Sequence, residues 1–193
     1  YLTLADAHSI ASLTPIIVVA LSAIILREKV SLKIWIAIFI GFVGVLIIMR
    51  PGLSIFDAKS LIPLVAAFFL GMYQIVTRKA SEFDSTETSL FYTSSIGIIL
   101  MSIFAYFYWQ PLQSFSYFLF LGIGIFFSIG IYFQIIALSM ARASIIQPFH
   151  YTLVFWAIIL GYFFYGDFPD LFTLLGASII TLSGIYVLKN RYS

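Results

Sequence analysis

The strongest constraint on this chain is a succession of seven apolar runs, each close to 20 residues long, separated by short stretches that hold almost all of its charge. A helix rises 1.5 Å per residue, so about 20 residues cross the roughly 30 Å hydrocarbon core of a bilayer. The runs predict spanning helices over 6–26 (A), 32–49 (B), 61–77 (C), 88–108 (D), 116–139 (E), 144–165 (F) and 171–188 (G). The expected fold is an all-α integral membrane bundle of about seven transmembrane helices. Arg50-Pro51-Gly52, Trp109-Gln110-Pro111 and the stretch from Asp167 to Asp170 punctuate it, and no polar stretch is long enough for a soluble domain.

Composition agrees and excludes much else. Hydrophobic residues make up 62% of the chain and charged residues 9%, against roughly 25% charged in a soluble domain. With a net charge of +2 placed in loops, nothing points to nucleic acid. There is no cysteine, hence no disulfide, thiol nucleophile or thiolate metal site. His8 and His150 are far apart, and no glycine loop of the phosphate-cradling kind occurs, so neither a metal nor a nucleotide cofactor is expected. The lysines, at 29, 33, 59, 79 and 189, all lie at span ends, which argues against a retinal-type Schiff base. No catalytic residues and no enzymatic activity are expected. The chain opens on Tyr1 without a signal-peptide pattern, which reads as the tail of a preceding helix.

The A–B hairpin, 4–50, recurs as the F–G hairpin, 140–191. Ala5-Asp6-Ala7 stands against Ala141-Arg142-Ala143, Glu28 against Asp167, Ala37 against Gly176, and Gly44 against Gly184. The turn charges invert, Arg27-Glu28-Lys29 being basic and the Asp167–Asp170 turn acidic. A repeat whose loop charges invert suits two halves inserted in opposite orientations. Gly41, Gly44, Gly124, Ser128, Gly176 and Gly184 fit close helix packing.

These residues resemble the drug/metabolite transporter superfamily, in its EamA-type branch. The carriers of the resemblance are Pro15, Leu26-Arg27-Glu28, Gly41 and Gly44, and again Pro148, Gly166-Asp167, Gly176 and Gly184. The family has ten helices in two inverted halves of five. The resemblance therefore implies that about three helices precede this chain, that 1–50 ends a first half-repeat and that 60–191 forms a second. It also implies a secondary transporter of a small organic metabolite, working by alternating access. Amino acids, nucleoside-like compounds such as S-adenosylmethionine, vitamins and drugs are all open as substrates. The alternative is a non-transporting membrane scaffold or sensor subunit. A small molecule, a proton, membrane lipid and a second copy of the chain are the candidate partners.

Eight of the ten basic residues, Arg27, Lys29, Lys33, Arg78, Lys79, Arg142, Lys189 and Arg191, flank one side, and Arg50 and Lys59 the other. The positive-inside rule puts the first side, and the C-terminus, in the cytoplasm of a plasma (inner) membrane protein. Tyr106, Tyr108, Trp109, Tyr162 and Tyr165 suit an interfacial belt, and His8 a solvated outer end.

Polar side chains inside a span are costly and need a reason. Here they are Gln74 on C, Gln134 on E, and Gln147 and His150 on F. Gln134 and His150 each lie eight residues from Arg142, about 12 Å into the membrane by helical rise. Pro148 lacks an amide N–H and frees the Ser144 carbonyl, while Pro15 near the middle of A predicts a second kink, with Ser12 and Thr14 able to bond freed carbonyls. Irregular helix at mid-membrane is where transporters place ligands. The candidate substrate-binding set is His150, Gln147, Gln134, Gln74, Tyr73, Tyr132, Tyr151 and Trp156, with Pro15 and Pro148 as kinks. His150 is expected to find its partner in Gln134 or Gln74 and is the candidate proton carrier.

Overall fold

The computed structural model describes residues 4–50, 58–108, 114–166 and 170–189, and every regular element among them is helical. In chain order these are α1 (Leu4–Ala11), α2 (Thr14–Ile25), α3 (Leu32–Met49), α4 (Leu61–Ala80), α5 (Thr86–Tyr108), α6 (Ser114–Met140), α7 (Ala143–His150), α8 (Thr152–Tyr165) and α9 (Leu171–Lys189), with one 3₁₀ turn at Ala58–Ser60. Among the described residues six segments are long and apolar enough to cross a membrane: His8–Ile25, Leu32–Met49, Ala58–Ala80, Thr86–Tyr108, Tyr117–Met140 and Ala143–Phe164. Leu171–Tyr186 is a further apolar helix. The expected spans A to G are all present as helix. Pro51, Trp109, Gln110, Pro111 and Asp167 lie outside the described residues.

The chain divides into two compact units, 1–76 with 142–193, and 77–141. In the first, α3 and α9 pack antiparallel along a seam of small residues. Ser183 donates through Oγ to the Ala37 carbonyl at 2.5 Å. One heptad on along α3 and one heptad back along α9, Gly44 faces Gly176. A Cβ on Gly176 would sit 2.6 Å from the Gly44 carbonyl oxygen, and one on Gly44 3.0 Å from that of Gly176. Such an approach needs glycine on both helices. At the end of the seam Arg50 pairs with Asp170 and lies over the Phe172 ring, 4.4 Å from its centroid. Val19, Ile38, Val45, Tyr151 and Ile180 form the buried apolar cluster beside it.

The seam relates the two hairpins by a local two-fold. In the sequence register Ala37 matches Gly176, and a contact from Ala37 to Ser183 becomes the one from Gly176 to Gly44 when the copies are exchanged. This makes Ser183, rather than the expected Gly184, the equivalent of Gly44. A Cβ on Gly184 would meet nothing within 4 Å.

Both Pro-bearing spans are interrupted at matching places. The first loosens at Ser12–Leu13, between α1 and α2, and the second at Tyr151, between α7 and α8. Each interruption carries a tightened i to i+3 bond, from Leu13 N–H to the Ile10 carbonyl at 3.0 Å and from Val154 N–H to the Tyr151 carbonyl at 3.1 Å. Thr14 Oγ1 donates to the Ala11 carbonyl at 2.7 Å, the acceptor that Pro15 cannot serve, as expected from the sequence. Ser12 Oγ donates to the Ser9 carbonyl at 2.6 Å, and Thr152 Oγ1 to that of Phe149 at 2.7 Å. Ser12 and Tyr151 are 139 residues apart, the separation of Glu28 and Asp167. That register places Ala11 against His150 at the helix ends. In that register Ala5-Asp6-Ala7 falls three residues away from Ala141-Arg142-Ala143.

In the second unit Arg78 donates through Nη1 to the carbonyls of Leu138, at 2.9 Å, and Ser139, at 3.0 Å. A cation there satisfies two of the open acceptors at the C-terminus of α6. No residue of α5 is buried. Gly124 has no neighbour within 4 Å of a Cβ, and Ser128 bonds back to the Gly124 carbonyl at 2.8 Å, so the packing expected of this pair is not seen among the described residues.

Candidate functional site

A buried amide pair lies inside the first unit. Gln147 on α7 donates through Nε2 to Gln74 Oε1 on α4 at 2.9 Å, and to the Ala143 carbonyl one turn back at 3.2 Å. Gln147 is fully buried and Gln74 nearly so. Both Nε2 hydrogens of Gln147 are committed to carbonyl oxygens, which fixes the amide's orientation and leaves Oε1 as an acceptor. That oxygen has no hydrogen-bond partner among the described residues. A buried acceptor left open costs about 1–3 kcal/mol, so this site is primed to take a donor. The expected bond from His150 to Gln74 is not formed; Gln147 is the partner of the Gln74 oxygen instead. Three residues along a 3.6-residue helix turn His150 about 60° from Gln147, enough to separate the two.

A second feature was missed from the sequence. Glu28, in the turn after α2, accepts from the backbone N–H groups of Ala143 through Oε1 at 2.9 Å and of Ser144 through Oε2 at 3.1 Å, and from Ser144 Oγ at 2.5 Å. The first N–H groups of a helix have no intrahelical partner, and Arg142 at the N-cap supplies no side-chain acceptor. A carboxylate at this end also meets the positive pole of the helix. Arg27 enters the left-handed region at φ 53, which turns the chain out of α2. Glu28 N–H returns to the Ser22 carbonyl at 3.2 Å. The signal was available: a helix start without a capping side chain needs an acceptor from elsewhere.

Tyr151, at the second interruption, reaches across to the first. It is buried to 2% exposure. Its hydroxyl donates to the Ser12 carbonyl at 3.2 Å. Its ring lies over Gly41, where a Cβ would come within 2.5 Å of Cδ2. Gly41 thus clears a notch for an aromatic ring from the other hairpin.

The remaining predicted residues are scattered. Tyr73 is half-buried on α4, and Trp156 is 57% exposed on α8. Gln134 and Tyr132 are half-buried on α6, in the other unit, where Tyr132 meets Phe133 edge-on at 5.9 Å. Pro15 and Pro148 are buried beside their interruptions. The structure thus brings together Gln74 and Gln147, and places Tyr151 on Ser12 and Gly41. Tyr106, Tyr108 and His8 are exposed.

The EamA-like transporter family matches residues 1–50 and 59–189. The chain belongs to this family. It is 32% identical over 167 residues to a riboflavin transporter of Vibrio cholerae, covering 86% of this chain and 56% of that protein. It is 28% identical over 177 residues to an S-adenosylmethionine uptake transporter of Rickettsia conorii, covering 92% and 60%. An uncharacterized transporter of Helicobacter pylori is 27% identical over 195 residues, covering 96% and 65%. The chain spans less than two thirds of the length of each. Family and apolar helices together make it an integral membrane protein of a transporter family rather than an enzyme family.

Proposed function

We propose that this EamA-family chain is part of a secondary transporter that moves a small organic metabolite across the membrane by alternating access. The observation that carries the reading is the buried Gln74–Gln147 pair, with its open Gln147 acceptor, on a span interrupted one residue past His150. Polar groups and loosened backbone at mid-membrane are what a carrier uses to replace the hydration of its substrate. An amide whose one open position is an acceptor favours a substrate bearing an N–H or O–H donor. Tyr73 and Trp156, in the same unit as the amide pair, are the aromatic groups that would stack on a planar ring. His150 is the candidate for proton coupling, since imidazole titrates near neutrality. The relatives named for riboflavin and S-adenosylmethionine, both heteroaromatic and rich in donors, supply the first probes.

The reading includes the plasma (inner) membrane and a cytoplasmic C-terminus, from the distribution of Lys and Arg. It takes 1–50 and 60–191 as parts of two half-repeats. Uptake of radiolabelled riboflavin, S-adenosylmethionine and a panel of amino acids and vitamins into vesicles holding the full-length protein tests it. Saturable flux of one compound, lost in Q147L, is the expected result. Leak-level flux across the panel would favour a scaffold or sensor subunit.

A further inference from the structure

We propose that Tyr151 couples the two helix interruptions, so that the α1–α2 and α7–α8 segments bend together. Three observations meet in this side chain. Tyr151 is itself the residue at which α7 passes into α8. Its hydroxyl is hydrogen-bonded, at 3.2 Å, to the Ser12 carbonyl, which lies in the interruption between α1 and α2. Its ring is fixed by the notch over Gly41 of α3, where even one added carbon would come within 2.5 Å.

The consequence is mechanical. Each interruption replaces a regular i to i+4 bond with an i to i+3 bond, the local weakening at which a helix hinges. Left alone, two such hinges in two spans would bend independently. The hydroxyl of Tyr151 bridges them, and an O–H···O bond already at 3.2 Å is lost with little further separation of the oxygens. Any change of angle at Ser12 that Tyr151 does not follow breaks that bond inside a buried cluster, leaving the phenol hydroxyl unpaired. Because the ring sits in the Gly41 notch, Tyr151 cannot follow by swinging its side chain. It follows only if its own backbone, and hence the α7–α8 angle, moves as well. The helical core of α3 serves as the bearing, held to α9 by the glycine seam. Tyr151 is on this account a positioning residue. Sequence pattern alone offered it as a substrate contact, but its hydroxyl and its ring are both engaged by this chain's own groups, Ser12 and Gly41. The coupling is a property of these segments whatever molecule is carried, so it stands or falls separately from the proposed transport activity.

The chain has no cysteine, so spin labels can be placed without background. One pair, H8C/A23C, brackets the α1–α2 interruption. A second pair, R142C/L160C, brackets α7–α8. In vesicles, electron–electron distance distributions are recorded for each pair in the wild-type background, in Y151F, in G41A and in S12A. Y151F removes one oxygen and keeps the ring, so the fold is retained. The expected result is that Y151F broadens or shifts the distribution of the H8C/A23C pair, on the helix that does not carry the substitution, as well as that of R142C/L160C. G41A, which expels the ring, reproduces both changes. S12A removes only the Ser12 Oγ bond to Ser9 and leaves the carbonyl that Tyr151 binds, so it does not reproduce the change at R142C/L160C. A Y151F distribution across α1–α2 that matches wild type would overturn the coupling, because a purely local packing role for Tyr151 alters the α7–α8 pair alone.

Discussion

Glu28 sits in a basic turn, and its sequence context reads as a solvated loop carboxylate. Folded, it satisfies the first two N–H groups of α7 and the Ser144 hydroxyl, 115 and 116 residues away. Hydrogen bonds to a charged acceptor contribute about 1.5–3 kcal/mol, and the helix dipole up to about 1 more. E28A is therefore expected to lower stability by about 2–3 kcal/mol. E28Q, which keeps an acceptor without the charge, should cost about 1 kcal/mol. Thermal unfolding in detergent, followed by tryptophan fluorescence, checks both, and equal effects of the two would exclude the charge as a contributor. The Gln74–Gln147 pair makes a second prediction at this scale. Q74L or Q147L alone strands a buried polar partner and should cost about 1–3 kcal/mol. The double variant should cost less than the two singles together, as measured by a double-mutant cycle. Asp170, outside the spans, gives a pH prediction. The Thr173 hydroxyl, the Arg50 guanidinium and the Thr173 backbone N–H hold its carboxyl well below its ordinary 3.8, at about 2. A depressed folded value gives stability that is present above the ordinary pKa and lost as pH falls through the folded one. The difference in unfolding temperature between wild type and D170N should be constant above about pH 5 and shrink between about pH 4 and 2. That Gln74 and Gln147 needed partners was legible, because an amide in an apolar span stands out. That they bond each other, to the exclusion of His150, was not, since it depends on 60° of helix rotation.

At the scale of elements, the seam between α3 and α9 sets the geometry of the first unit. A Cβ at Gly176 would lie 2.5 Å from Ile48 Cγ1 and 2.6 Å from the Gly44 backbone oxygen, whereas Gly184 has open space. G176A should therefore destabilise by about 1–3 kcal/mol, the usual cost of overpacking, because a backbone carbonyl has nowhere to move. G184A should be neutral or slightly stabilising, as alanine is the better helix former. Equal melting temperatures for the two variants would show that the seam yields. All seven apolar runs became helix close to their expected ends, since a long apolar run bounded by charge, Pro or Gly leaves little choice of start and stop. The interruptions were half legible. Two prolines announced irregular helix, but the breaks fall two to three residues away from them. There the ladder is settled by Thr14 and Thr152 hydroxyls and by Tyr151, not by the proline ring alone.

For the whole molecule, orientation is the prediction that charge makes. Cysteines at Lys29 and Lys79 should resist an impermeant thiol reagent in intact cells, and one at Lys59 should react. The reverse pattern would invert the proposed topology. Composition and run length together determined that the chain is a helical membrane protein, because apolar runs of about 20 residues fit a bilayer as helices, whereas the strands of a barrel are about half as long. The inverted repeat, its spaced small residues and the family resemblance were also written in the chain, since they are periodic and local. Tertiary structure alone decided which copies of those residues touch. It put Ser183 on Ala37, the Glu28 carboxylate on the start of α7, and the Tyr151 hydroxyl on Ser12. Each of these joins groups more than a hundred residues apart, and a pattern along one dimension carries no information on which rotation of a helix meets which carbonyl of another. That information exists only once close packing at Gly41, Gly44 and Gly176 has fixed the distance between backbones.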